Sequence, residues 1–205
     1  MVDIRLEFPH SYEIEEAPEL PATGGSGLPI HYFPRAKARP EHDGIWILVR
    51  PATGQPWIGV FGFGGTAISR VVSIPDADRF CVISKGTAYV LKANEPERWE
   101  KLDAMPVRDV RAILDQQLVV FASFDRLIAY GNNKIVWKSP HLCGDDLRIL
   151  NIDGDSMKCV GYEPSDGCDS RFTVDLHSGQ PVPSVPASSG NKTLRQCLKQ
   201  IVSKR

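Results

Sequence analysis

Apolar and polar residues alternate in short runs along most of the chain, and these runs recur at a constant interval. Ile74, Ile113 and Ile152 lie 39 residues apart, each inside a similar apolar stretch. Short strands that repeat with a period of about 40 residues are typical of repeated β-units. The pattern therefore predicts an all-β fold of antiparallel strands in repeats of 39 residues.

Each repeat is predicted to contain four strands. The A strands are expected at 68–74, 108–114 and 147–152, the B strands at 79–84, 118–123 and 157–162, the C strands at 87–92, 126–131 and 171–176, and short D strands at 98–101, 134–138 and 180–183. In this alignment Val82, Phe121 and Val160 are equivalent, as are Val71, Val110 and Ile149. Turn residues are expected at 131–133, 153–154 and 178–179, and a longer B–C loop at 163–170 of the third repeat.

A further hairpin precedes the repeats. The segments GIWILVR (44–50) and WIGVFGF (57–63) flank a turn composition at 51–54. Together with the segment 28–62, the three repeats make about four β-units. This number fits both a closed ring of four units and an incomplete ring that needs a second chain. The alternative is a β-sandwich or barrel whose strands merely recur at similar intervals.

The two ends of the chain differ from this repeat domain, which we place at 43–186. Residues 1–42 are rich in proline and predict an extended arm over the domain, with a strand at 2–8; the alternative is a partner-binding tail. Residues 187–205 predict a linker and an amphipathic helix with one apolar face: Leu194, Cys197, Leu198, Ile201 and Val202. We expect that helix to pack on its own domain, and the alternative is a homo-oligomer contact.

Two segments of the repeats, LIAYGNNKIVWKSP and RFTVDLHSGQPV, resemble blades of β-propellers of the WD40, kelch and quinoprotein-repeat kinds. The resemblance covers residues 68–182 and implies a propeller-like fold. Neither a Trp-Asp nor a Gly-His dipeptide occurs, so the WD40 form in particular lacks support. Propellers serve binding and catalysis alike, so the resemblance leaves the activity open.

Composition narrows the class of partner. The formal net charge of −1 gives no electrostatic reason to expect a nucleic acid or an anionic membrane as partner. No apolar run approaches the ~20 residues of a membrane helix, and acids stand where a signal peptide would carry a basic region. The five cysteines are scattered without a tight framework. We therefore expect a cytoplasmic protein with reduced thiols.

Motifs for catalysis or cofactor binding are weak. The glycines of 59–65 have the wrong spacing for a dinucleotide fingerprint. The residues that zinc could use lack a Cys-x-x-Cys anchor: His141, Cys143, Cys159, Cys168 and His177. We expect neither a metal nor a cofactor.

Two functions remain. The first, which we favour, is a non-enzymatic binding protein that presents loops from a rigid β scaffold to another protein. Its predicted partner-binding residues are Phe63, Lys85, Met105, Phe124, His141, Asp145 and Asp169. The alternative is a small hydrolase with its site near the propeller axis, using His141 or the loop carboxylates of Asp145, Asp146, Asp166 and Asp169.

Overall fold

The computed structural model describes residues 2–17, 27–34, 44–66 and 68–183, and every regular element among them is a β-strand. In chain order these are β1 (Asp3–Arg5), β2 (Tyr12–Glu16), β3 (Ile30–Phe33), β4 (Gly44–Pro51), β5 (Trp57–Gly62), β6 (Arg70–Ser73), β7 (Arg79–Ser84), β8 (Thr87–Lys92), β9 (Glu95–Lys101), β10 (Asp109–Ile113), β11 (Leu118–Ala122), β12 (Leu127–Gly131), β13 (Lys134–Lys138), β14 (Asp145–Asp153), β15 (Ser156–Glu163), β16 (Cys168–Asp175) and β17 (Pro181–Val182). The prediction of an all-β fold is confirmed. The helix predicted within 187–205 lies outside the described residues.

The strands form four sheets, and none of them closes into a barrel. In spatial order, sheet I is β2-β4-β5-β3, sheet II is β1-β6-β7-β8-β9, sheet III is β10-β11-β12-β13 and sheet IV is β14-β15-β16-β17. Neighbouring strands are antiparallel, except that β1 pairs with β6 and β3 pairs with β5 in parallel. The expected antiparallel character is therefore confirmed, and the two parallel pairs lie at sheet edges.

The three predicted repeats correspond to sheets II, III and IV, and the hairpin before them forms β4 and β5 of sheet I. Their predicted strands match the observed ones to within a few residues. Asn132 and Asn133 between β12 and β13 have φ of 49° and 59°, as a tight type I′ turn requires. The long B–C loop expected at 163–170 is wrong, because β15 and β16 remain paired as far as Glu163 and Cys168.

The third repeat also differs in register from the other two. In sheets II and III the aligned A- and B-strand positions are register partners: Val71 with Val82, and Val110 with Phe121. In sheet IV, Ile149 pairs with Cys159 instead of Val160, because irregularities interrupt β14 on both sides of this pair. The predicted equivalence of Val160 is therefore wrong, and its side chain lies on the opposite face of the sheet.

Consecutive sheets pack face to face through three clusters of buried apolar side chains. Large buried side chains in these clusters include Ile47, Trp57, Phe61 and Phe80 between sheets I and II, Ile74, Ile83, Phe121 and Tyr130 between sheets II and III, and Leu127 and Leu147 between sheets III and IV. Each such side chain contributes about 1.5–3 kcal/mol on burial. The sheets are thus stacked in the order I, II, III, IV.

Buried polar groups connect the same neighbours. The indole of Trp57 in sheet I donates to the carbonyl of Ala93 beyond β8 at 2.7 Å. The indole of Trp137 in sheet III donates to the carbonyl of Leu176 beyond β16 at 2.8 Å. Because each indole N–H is satisfied across an interface, these hydrogen bonds orient one sheet on the next.

The region predicted as an arm, 1–42, supplies β1, β2 and β3, so its described residues belong to the sheets. β1 is shorter than the strand predicted at 2–8 and lies beside β6, where the carboxylate of Asp3 pairs with Arg70 at 2.7 Å. Val2 and Phe8, on either side of β1, are buried. β1 therefore pairs with a strand that is distant from it in the chain.

Candidate functional site

Six connections between strands lie at one end of the stacked sheets: residues 63–66, 85–86, 102–108, 123–126, 139–144 and 164–167. Backbone hydrogen bonds tie these connections to one another. Thr66 N–H donates to the carbonyl of Lys85, Val107 N–H to that of Gly86, and Leu142 N–H to that of Asp125, at 2.8–2.9 Å. We call this surface the loop face, and these bonds hold its shape.

Phe63 and Lys85 form the first part of the loop face. The Phe63 ring is 42 % exposed, and the Lys85 ammonium lies over it at 3.8 Å from the centroid. Such a cation–π contact contributes about 0.5–1 kcal/mol at an exposed site. Met105 lies in the next connection and is 48 % exposed. The structure therefore joins Phe63 to Lys85 and leaves Met105 open to solvent beside Pro106, which approaches Gly86.

Phe124 is at the centre of the second part of the loop face. Its ring is 39 % exposed, and the guanidinium of Arg108 lies 4.9 Å from the ring centroid. Arg108 also pairs with Asp146 at 3.3 Å. Arg148 pairs with both Asp146 and Asp169, at 3.3 and 3.4 Å. One cation–π contact and three ion pairs thus link Phe124 to Asp169 across sheets III and IV.

His141 lies in the connection before β14, where its Nε2 atom is 2.7 Å from Asp125 Oδ2. The hydroxyl of Ser123 donates to the other carboxylate oxygen of Asp125 at 3.3 Å. The carboxylate thus stands between the serine and the histidine. A nucleophilic serine needs the imidazole as its direct neighbour, so this arrangement positions the loop rather than activating Ser123.

The carboxylates of the hydrolase alternative have structural partners. Asp145 accepts the N–H of Asp146 at 2.6 Å, and Asp166 accepts the hydroxyl of Ser165 at 3.2 Å. Asp146 and Asp169 share Arg148, as described above. Each of these carboxylates thus has a local hydrogen-bond or ion-pair partner.

The histidines and cysteines weighed as zinc ligands do not come together. In the part of the chain that the structure describes, no group of three or more His, Cys, Asp or Glu side chains is placed to hold a metal ion. Burial raises the pKa of Cys143 to about 11 and that of Cys159 to about 12. His177 pairs with Asp155 at 3.0 Å, in the turn region away from the loop face.

Sequence reasoning missed the charged residues that connect the site. Arg108 and Arg148 were not among the predicted residues, although each pairs with one that was considered, Asp146 and Asp169 respectively. Their signal in the sequence is weak, because a single charge in a loop or on an exposed strand face is most often solvated. A search for opposite charges at the starts of successive A strands would have found Arg108, just before β10, and Asp146, at the start of β14.

Comparison with models of protein families finds no match to this chain, and comparison with curated proteins finds no similar sequence. Within the described residues there is also no helix with the length and apolar character needed to cross a bilayer.

Proposed function

We propose that this protein is a non-enzymatic interaction protein that binds another protein through its loop face. The observation that carries the proposal is the group of exposed large apolar side chains there, Phe63, Met105 and Phe124, which are surrounded by charged groups. An apolar centre inside a polar rim is how protein interfaces are built. Arginine and aromatic side chains are also those that most often dominate binding energy.

The scaffold supports this proposal in a second way. We infer a propeller-like arrangement of four blades, in a ring or an incomplete ring, with each sheet as one blade. The face-to-face stacking of sheets I to IV and their four or five strands each favour it. Connections at one end of such an array form a rigid surface, and a rigid surface loses little entropy when it binds.

The partner we expect is a protein with apolar side chains for Phe63 and Phe124 and with charges of both signs at the rim. Lys85 and Arg108 already cover one side of each aromatic ring. A partner would therefore meet the uncovered ring edge and the neighbouring Met105. We also propose that the protein is cytoplasmic, which its unbridged cysteines Cys81, Cys143 and Cys159 favour.

The test compares partner capture by wild-type protein and by Phe124→Ala and His141→Ala. Loss of a central aromatic anchor should weaken binding about 30-fold or more. Leu114→Ala is the matched control, because Leu114 is 48 % exposed but lies in the turn at the opposite end of sheet III. Binding that survives Phe124→Ala, or that Leu114→Ala weakens equally, would contradict the proposal. Thermal melts of all variants separate lost binding from lost stability.

A further inference from the structure

Sheet IV lacks most of its fourth strand. The D strands of sheets II and III, β9 and β13, have seven and five residues. β17 has only two residues, which pair with Thr173 and Val174 of the eight-residue strand β16. Within the described residues no other strand pairs with this side of β16, so its edge is open over 169–171.

Asp169 and Arg171 direct their backbone N–H and C=O groups at this open edge. The N–H of Asp175 donates to Gln180 on the side of β17, and β16 pairs with β15 without a shift in register. Backbone groups alternate between the two sides of a strand, so the odd-numbered residues of β16 face the edge and the even-numbered ones face β15. Each of the two edge residues therefore offers one donor and one acceptor.

The side chains along the edge determine which strand can pair with it. Even-numbered residues of β16 face sheet III, because Phe172 and Val174 pack in the cluster between sheets III and IV. Asp169 and Arg171 therefore point away from sheet III. Asp169 pairs with Arg148 at 3.4 Å, whereas Arg171 makes no ion pair with another described residue. Charges on an edge deter unselective pairing, but a strand that places opposite charges beside them is stabilised.

We propose that an extended segment of a partner protein adds to β16 as the missing D strand. The segment runs antiparallel to β16, because β9, β13 and β17 are all antiparallel to their neighbours in this position. It carries an acid opposite Arg171 and a base opposite Asp169. Opposite Ser170 it carries an apolar residue, since that side chain faces sheet III. About four backbone hydrogen bonds join it to β16, as in other strands that add to a sheet edge.

The continuation of this chain beyond β17 does not supply such a strand. By the register of Val182 with Thr173, Pro186 would stand opposite Asp169. Proline has no N–H to donate to the carbonyl there. Residues 184–205 also contain no acid to oppose the arginine of the edge. The missing strand must therefore come from another molecule.

A second copy of this chain fits the edge less well than a single strand. β13 of sheet III stacks above the position of the D strand, where Trp137 donates to Leu176 and lies against Gly179. If β16 of two copies paired edge to edge, the two sheets III would occupy the same space through β13. The place beside β16 is therefore one strand wide. This proposal does not depend on the proposed function of the loop face.

Amide hydrogen exchange of the full chain, followed residue by residue by NMR, tests whether the edge is open. We expect the amides of Asp169 and Arg171 to exchange fast and those of Ser170 and Phe172 slowly, because only the latter two donate to β15. Equal protection of all four amides in the free protein would overturn the proposal. Protection of the first two that rises with protein concentration would overturn it as well, because it would indicate pairing between copies.

The second test titrates the chain with the probe acetyl-Glu-Val-Lys-Thr-amide over about 0.05–5 mM, and we expect a dissociation constant of about 1 mM or below. Binding should slow exchange at Asp169 and Arg171 and leave Ala129 unchanged, because β13 already covers that position of sheet III. N-methylation of the glutamate amide should abolish binding, since this N–H donates to β16. N-methylation of the valine amide, which points away from β16, should leave binding intact.

Charge reversal tests the side-chain contacts. Arg171→Glu should weaken binding of the probe about fivefold or more, and replacing the glutamate of the probe by lysine should restore it. Lys158→Glu is the control, because it makes the same change on the same face one strand further from the edge, and it should weaken binding less.

Three outcomes of the titration would overturn the proposal. They are no binding up to about 5 mM, equal binding of the two N-methylated probes, and equal effects of Arg171→Glu and Lys158→Glu. Thermal melts of both variants show whether the fold is retained, and the two N-methylated probes test the same contact on the unaltered chain.

Discussion

Gly179 gives a quantitative test of how sheets III and IV pack. Its φ is +70°, and a Cβ atom at this position would overlap the indole ring of Trp137. Gly179→Ala therefore combines two costs. The left-handed backbone conformation costs about 1 kcal/mol for an L-residue. Displacing a well-packed ring costs a further 1–3 kcal/mol or so.

We expect Gly179→Ala to lower the free energy of unfolding by about 2–4 kcal/mol, a large share of a typical domain stability. Gly154→Ala is the matched control, because Gly154 has φ of +55° and nothing within 4 Å of the added Cβ. It should lose only the conformational part, about 1 kcal/mol.

Urea unfolding followed by far-ultraviolet circular dichroism measures both losses without relying on the fluorescence of the indole. Repeating Gly179→Ala in a Trp137→Phe background closes a double-mutant cycle, and the smaller ring should recover part of the loss. The reasoning is refuted if Gly179→Ala costs no more than Gly154→Ala. It is also refuted if the cost is unchanged when Trp137 is replaced.

Three further predictions concern single residues. Tyr130→Phe should lower the free energy of unfolding by about 1–2 kcal/mol in urea titrations, because the hydroxyl donates to Glu100 at 2.7 Å and accepts from Arg79. Hydrogen bonds from Ser178 lower the pKa of Asp175. The ionised carboxylate therefore stabilises the fold above the unfolded pKa near 4, and this stabilisation is lost as pH falls through the lower folded pKa. Asp175→Asn should accordingly flatten the acid limb of the free energy of unfolding measured against pH. Burial raises the pKa of Cys81 and Cys159, so at neutral pH iodoacetamide should modify both more slowly in the native protein than in urea, as mass spectrometry of peptides would show.

The strands were predictable because their signal is local. Alternation of apolar residues and turn residues such as Asn132 and Asn133 identify a strand and its end without knowledge of the partner strand. The bulges in β14 were not predictable in this way. A constant period assigns equivalent positions by counting residues, and a bulge adds a residue to one strand without any change in composition. The count therefore placed Val160 on the wrong face of the sheet.

The candidate site was predictable to a similar, limited extent. Phe63 and Phe124 could be identified because large apolar residues in connections are costly to expose. The cationic neighbour of Phe63, Lys85, was among the predicted residues. Arg108, the cationic neighbour of Phe124, was not, because it approaches the ring only through the pairing of β10 with β11. Ion pairs such as Arg148 with Asp169 depend on strand register in the same way.

The pairing of β1 with β6 has a consequence for synthesis on the ribosome. Asp3 and its partner Arg70 are 67 residues apart in the chain. At 5–20 residues per second, β1 would wait roughly 3–13 s before its neighbour has been translated. Sheets III and IV each come from one continuous stretch and can assemble as they emerge. β1, with the apolar Ile4 at its centre, is instead exposed to chaperones until β6 appears, and sheet II is completed only after β9 has also been translated.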